Sequence, residues 1–267
     1  MKEFFFDTAD LEFIKKTIEK LEGKIDYKLI KGVTTNPNAF NKIDKHSMYQ
    51  WVEVAEEIGN FLYDLRQDNK GEVHIQLPNA NLKIDHAVKF ADFISQLPNS
   101  KMTVGMKIPP YQEILTNLEK LNETVLTNVT GVSDHATALK CVTYNVNYVS
   151  IIPGRMEEVG IPALELLSYL FQAKHNKTKI ISGSMRTIDQ LKYTFQIGTI
   201  PTIGERVWPL ILDNNTLDQL LNLDYSPVIT TSEFSPEISK KSFDLSKDFF
   251  TQMNELGKFA NDELLDL

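Results

Sequence analysis

Three features of this sequence predict an α/β fold, a (β/α)8 barrel carrying an additional C-terminal helix. Short apolar runs alternate with helix-period patterns, and the alternation occurs eight times before residue 213. No G-x-G-x-x-G follows the first run, which removes the main reason to prefer a doubly wound dinucleotide-binding sheet. The 267 residues, 42% hydrophobic and 24% charged, suit one core of barrel size. The expected organisation is a single domain over 1–267, with a barrel core at 1–212 and a helical extension at 213–267.

The elements follow in order. Phe4-Phe5-Phe6 reads as a strand, and Leu11, Ile14, Ile18 and Leu21 recur at steps of three and four before Gly23 offers a stop. LIKGVT (29–34) precedes the helical stripe Met48, Trp51, Val52, Ala55, Ile58, Leu62, Leu65. EVHIQL (72–77) precedes Ile84, Ala87, Val88, Ala91, Ile94, Leu97, and MTVGMKI (102–108) precedes Ile114, Leu118, Leu121. TVLTNV (124–129), NYVSII (147–152), TKIIS (178–182) and the weaker GTIPTI (198–203) complete the strands, each with a helical pattern after it. Residues 224–242 are rich in Ser, Thr and Pro and read as a loop. Phe249, Phe250, Met253, Leu256 and Phe259 then form a helical stripe, expected to pack on its own barrel, with a subunit contact or a lid as alternatives.

Composition excludes several functions. The balance of 28 Lys+Arg against 36 Asp+Glu, net −8, lacks the basic footprint of a nucleic-acid binder. The apolar runs are far shorter than a membrane span, and the opening MKEFFFDTAD is unlike a signal peptide, so a soluble cytoplasmic protein is expected. The single cysteine, Cys141, excludes an internal disulfide and is expected in a helix core. His46, His74, His86, His135 and His175 are scattered, with no zinc-type spacing, so neither a metal nor a cofactor is expected.

In a barrel of this type, chemistry sits at the carboxyl ends of the strands. The polar residues closing the apolar runs are Asp7; Thr34 and Asn36; Gln76; Lys107; Asn128 and Thr130; Ser150 with Arg155 beyond it; and Ser184 with Arg186. Each has an ordinary structural explanation. Asp7 could cap the first helix, Asn36-Pro37 could mark a turn, and Asn128 and Thr130 could satisfy loop backbone. Gln76 and Ser150 could pair with each other, and Arg155 could pair with Glu157 or Glu158 on the surface. Lys107, between Met106 and Ile108, is hardest to dismiss, because a buried ammonium is costly. It either pairs with a carboxylate such as Asp7, or it is a lysine whose pKa is lowered by apolar surroundings and whose amine attacks a carbonyl to form a Schiff base.

The segments FFFDTAD, GVTTNPN, MKIP, LTNVTG, YVSIIPGR and SGSMRT, in that order from Phe4 to about Leu212, resemble the transaldolases and the related fructose-6-phosphate aldolases. The resemblance implies a class I aldolase in a (β/α)8 barrel. Lys107 would form the Schiff base with a ketose phosphate, and Asp7 would transfer the proton of the C4 hydroxyl. Thr34, Asn36, Asn128 and Ser150 would hold substrate hydroxyls or the imine, Gln76 and Thr130 would position a catalytic water, and Arg155, Ser184 and Arg186 would bind phosphate. Asn38 stands where the family usually has serine, and Ile152 stands where it carries tyrosine or phenylalanine. Gln76 is the aldolase-branch residue, whereas the apolar Ile152 is nearer to the transaldolase phenylalanine. The expected activity is therefore transaldolase on sugar phosphates such as fructose 6-phosphate, with fructose-6-phosphate aldolase and a non-catalytic sugar-phosphate binder as alternatives, and a homo-oligomer is expected from the resemblance.

Overall fold

The structure, a computed structural model, describes residues 2–67, 69–81, 83–98, 100–122, 124–173, 177–213, 216–226 and 234–266. His175 and residues 227–233 of the expected loop lie outside them. Eight parallel strands close into a barrel in sequence order: β1 (Phe4–Asp7), β2 (Ile30–Thr34), β3 (Gly71–Gln76), β4 (Met102–Ile108), β5 (Leu126–Val132), β6 (Tyr148–Ile151), β7 (Lys179–Ser182) and β8 (Ile200–Gly204). β1 pairs with both β2 and β8, which closes the sheet and leaves no exposed edge. Among the described residues no helix is long and apolar enough to cross a membrane.

Helices between the strands cover the barrel, and their apolar stripes form the main core with the outward faces of the strands. The first, Leu11–Leu21, buries Ile14, Ile18 and Leu21. Its cap is Asp10, whose carboxylate accepts from the Phe13 N–H at 3.0 Å, so the capping role considered for Asp7 falls to another residue. Gly23, at φ +70°, turns the chain away. Cys141 is buried in the helix His135–Thr143. A separate small cluster, Phe5, Tyr148 and Ile181 with Leu126 and Ile200, fills the barrel interior, because residues two apart on a strand share a face.

The C-terminal region departs from the sequence expectation in two ways. Its long helix spans Pro236–Leu256 and so begins inside the stretch read as loop. Ser235 caps it, accepting from the Ile238 N–H at 3.3 Å, and Pro236 occupies the first turn, where a missing N–H costs nothing. Ser-Pro therefore starts a helix here. A second helix, Lys258–Leu265, follows a break at Gly257, where an added Cβ would lie 2.2 Å from the Pro78 carbonyl oxygen. The expected single helix is two because the chain must pass that backbone closely.

The long helix packs on its own barrel, and its Phe249 and Met253 stand at the barrel mouth. Phe249 and Phe250 are buried against the end of β5 at Gly131, where an added Cβ would meet Phe250 Cζ at 2.7 Å. Gly131 sits at φ +72°, where the β5–β6 register shifts. A bulge and a glycine together make room for the aromatic pair.

Candidate active site

A cavity of about 380 Å³ opens at the carboxyl end of the barrel, lined by Asp7, Thr34, Asn36, Lys107, Thr130, Ser150, Arg155, Ser184 and Arg186 among others. Nine of the eleven residues expected from the strand-end argument thus share one concavity. The other two, Gln76 and Asn128, lie beside it. Both are Cα partners of Lys107, in β3 and β5, and both are buried.

Lys107 is 8% exposed, and burial lowers its pKa, with Asp7 acting in the opposite sense. Its Nζ donates to the Thr35 carbonyl at 2.9 Å. A neutral amine can make that bond, and it leaves the nitrogen lone pair uncommitted. The purely architectural ion pair with Asp7 is not formed: the Asp7 carboxylate instead accepts from the Thr34 hydroxyl at 3.2 Å, in register across β1 and β2.

Around the lysine the polar groups are oriented by their own partners. Asn36 caps the short helix Pro37–Asn41, accepting from the Ala39 N–H at 3.0 Å, so it is both a turn residue and a cavity residue. Ser150 donates to Asn128 Oδ1 at 2.6 Å; the considered Gln76–Ser150 pair is absent. Asn128 and Thr130 belong to β5 itself, not to a loop. The Gln76 Oε1 is buried without a hydrogen-bond partner among the described residues.

At the other side of the cavity, Arg155 and Arg186 face each other. Burial, then the like charge of Arg186, lowers the Arg155 pKa. Such an arrangement favours an anion. Arg155 stacks over the Phe249 ring at 5.1 Å and donates to Gln252 at 3.1 Å, both on the long C-terminal helix, rather than pairing with Glu157 or Glu158. Arg186 takes Glu158 at 3.0 Å. Ser184 adopts φ +58°, and its carbonyl oxygen would lie 1.9 Å from a Cβ at Gly154. Glycine at 154 is what lets the Ile152–Arg155 turn approach the Ser184–Arg186 loop.

Lys42, Glu205, Arg206, Phe249 and Met253 also line the cavity, beyond the residues expected at the strand ends. Lys42 and Glu205 pair at 3.2 Å, and Thr8 donates to Glu205 at 2.6 Å. The signal for Glu205 and Arg206 was available, since they directly follow β8. Phe249 and Met253 had no distinguishing signal; their spacing is that of any core stripe. Among the described residues no three His, Cys, Asp or Glu side chains gather as a metal site.

Fold and site together define a (β/α)8 barrel with a cavity at the strand carboxyl ends, the end where such barrels carry their sites, and a buried lysine lines it. The chain belongs to the transaldolase/fructose-6-phosphate aldolase family, whose sequence model matches residues 4–248. A relative named "Probable transaldolase" from Coprothermobacter proteolyticus is 29% identical over 235 residues, covering 85% of this chain and 97% of its own. Another of that name, from Bdellovibrio bacteriovorus, is 26% identical over 210 residues, covering 77% and 87%. A solved structure from Coccidioides immitis, named provisionally as a fructose-1,6-biphosphate aldolase, superposes with a TM-score of 0.50 at 9% identity over 97% of this chain and 89% of its own, a likeness of fold alone.

Proposed function

We propose that the protein is a transaldolase that moves a dihydroxyacetone unit between sugar phosphates through a Schiff base on Lys107. The observation that carries this reading is the buried Lys107 amine, hydrogen-bonded to a backbone carbonyl rather than to Asp7, at a cavity whose other side presents Arg155, Ser184 and Arg186. An amine of lowered pKa is nucleophilic near neutrality. It adds to the C2 carbonyl of fructose 6-phosphate and, after loss of water, gives a protonated imine. Asp7 takes the proton of the C4 hydroxyl, the C3–C4 bond breaks, and its electron pair passes to the imine to leave an enamine and free glyceraldehyde 3-phosphate. Arg155, Ser184 and Arg186 hold the phosphate, and Thr34, Asn36, Asn128 and Ser150 hold hydroxyls or the imine. Thr130 and the unpartnered Gln76 oxygen position a water for proton transfer.

The enamine then attacks the aldehyde of an acceptor such as erythrose 4-phosphate, and hydrolysis of the new imine releases the longer ketose. Transfer is favoured over hydrolysis of the enamine because Ile152, Phe249 and Met253 make part of the cavity wall apolar, with no tyrosine at position 152. The aldolase alternative draws on Gln76. The test incubates the protein with fructose 6-phosphate, with and without erythrose 4-phosphate. Sedoheptulose 7-phosphate formed only with acceptor supports transfer, and free dihydroxyacetone without it supports the aldolase. A borohydride-stable adduct on Lys107 is expected in both; binding of the sugar without adduct would leave a non-catalytic binder.

A further inference from the structure

A chain of buried polar groups runs down the barrel interior below the cavity. The Ser150 hydroxyl donates to Asn128 Oδ1 at 2.6 Å, and Asn128 Nδ2 meets His74 Nδ1 at 3.0 Å. His74 Nε2 meets Glu72 Oε2 at 3.0 Å. The other Glu72 oxygen accepts from the Tyr148 hydroxyl at 2.8 Å and pairs with Lys31 at 3.1 Å, and Lys31 in turn pairs with Glu3 at 3.2 Å. His74 is fully buried, edge-on to the rings of Phe5 and Tyr148, each with its centroid 5.1 Å away. Its cross-strand partner on β4 is Gly105, where an added Cβ would lie 2.6 Å from the imidazole Cδ2. The barrel has been hollowed to seat this ring.

Donor and acceptor roles along the chain are coupled. A carboxylate only accepts, so Nε2 carries the hydrogen toward Glu72. Nδ1 faces the Asn128 amide nitrogen, which can only donate, so Nδ1 is bare and accepts from it. This turns the Asn128 oxygen toward Ser150, whose hydroxyl hydrogen is then used on it. Ser150 therefore offers lone pairs, not a proton, to the cavity it lines. If Nδ1 carried a hydrogen, Asn128 would have to turn over and the Ser150 hydrogen would be freed toward the cavity.

We propose that His74 is a positioning residue: through Asn128 it fixes Ser150 as a hydrogen-bond acceptor toward a donor group of the bound sugar, a hydroxyl or the imine N–H. This rests on the reading of the cavity as a sugar-phosphate site. Glu72 sets the polarity from below, and among the described residues Ser150 is the member of the chain that lines the cavity.

Two measurements test it. Nitrogen NMR of the full chain labelled with ¹⁵N-histidine, the His74 signals assigned by their loss in His74→Asn, is expected to show a bare Nδ1 and a protonated Nε2. A hydrogen on Nδ1 overturns the proposal. In the fructose 6-phosphate assay, His74→Leu is expected to lower kcat/KM about tenfold or more. His74→Asn, whose side-chain oxygen can stand in for Nδ1, should recover a substantial part. Unchanged kcat/KM in a folded His74→Leu variant, or equal losses in the two variants, overturns the proposal. If His74→Leu does not fold, the tautomer in the native protein decides. A native protein that turns over no sugar phosphate would defeat the transaldolase reading, while the tautomer would remain measurable.

Discussion

Replacing Glu72 with glutamine tests whether the buried chain is held by an ionised carboxylate. Burial alone would raise the Glu72 pKa; its contacts with His74, then with Lys31 and the Tyr148 hydroxyl, lower it from the ordinary 4.5 to about 2. The side chain is 14% exposed, so solvent screens these contacts only weakly. A folded-state pKa below the unfolded value means that the unfolded chain binds the proton more readily. The stability is therefore fully present above 4.5 and is lost as pH falls toward 2. Part of the shift of about 2.5 units comes from a charge on His74 that a bare Nδ1 does not carry, so the shift corresponds to at most about 3 kcal/mol at neutral pH, of which about 2 kcal/mol has gone by pH 3. Glutamine cannot titrate and cannot reproduce the charge opposite Lys31. Urea unfolding of both proteins between pH 7 and pH 3 should show the variant less stable by at most about 3 kcal/mol at neutrality, with the gap closing to at most about 1 kcal/mol at pH 3. A gap independent of pH would refute the reasoning, because it would mean that Glu72 matters by shape and not by charge.

Other consequences concern the cavity. Because burial lowers the pKa of Lys107, its borohydride trapping with fructose 6-phosphate should rise with pH and level off below 10.5; a rise continuing to that value would show the amine unaffected by burial. Phe249→Ala removes the ring under Arg155 and should raise KM about fivefold, for a cation–π contact of about 1 kcal/mol, with kcat little changed; steady-state kinetics on phosphorylated and unphosphorylated ketoses would show whether the effect follows the phosphate. Gly154→Ala puts a methyl group 1.9 Å from the Ser184 carbonyl oxygen, forcing the two loops apart; a fall in kcat/KM of at least about tenfold with the barrel still folded by circular dichroism is expected. Arg186→Ala should mainly raise KM for phosphorylated substrates, and unchanged kinetics would remove it from the anion site.

Much of the barrel was legible in the linear pattern, because strand and helix periods are local. An apolar run of four to seven residues between amphipathic stripes has few other ways to be buried, and the eight strands appear where those runs are. Candidate site residues were legible for a related reason: a parallel barrel brings all strand carboxyl ends to one face, so the polar residue ending each run is near the others wherever it falls in the chain. Lys107, Asp7 and Thr34 required no more than that rule. The C-terminal region followed no such rule. Ser-Pro serves equally as a loop and as a helix start, and the residues around it decide between them.

What the sequence by itself determined is the set of elements and the set of groups offered at the strand ends. Which group faces which was decided only by closing the barrel. Register sets Gln76 and Asn128 beside Lys107, the close approach at Gly154 brings Arg155 to Arg186, and Gly105 admits the His74 ring to the chain that ends at Ser150. The C-terminal helix brings Phe249 to the cavity and against Arg155, 94 residues earlier in the chain. These are contacts between distant residues, governed by van der Waals clearance and by the direction of single hydrogen bonds, and neither quantity has a period that a linear pattern could display.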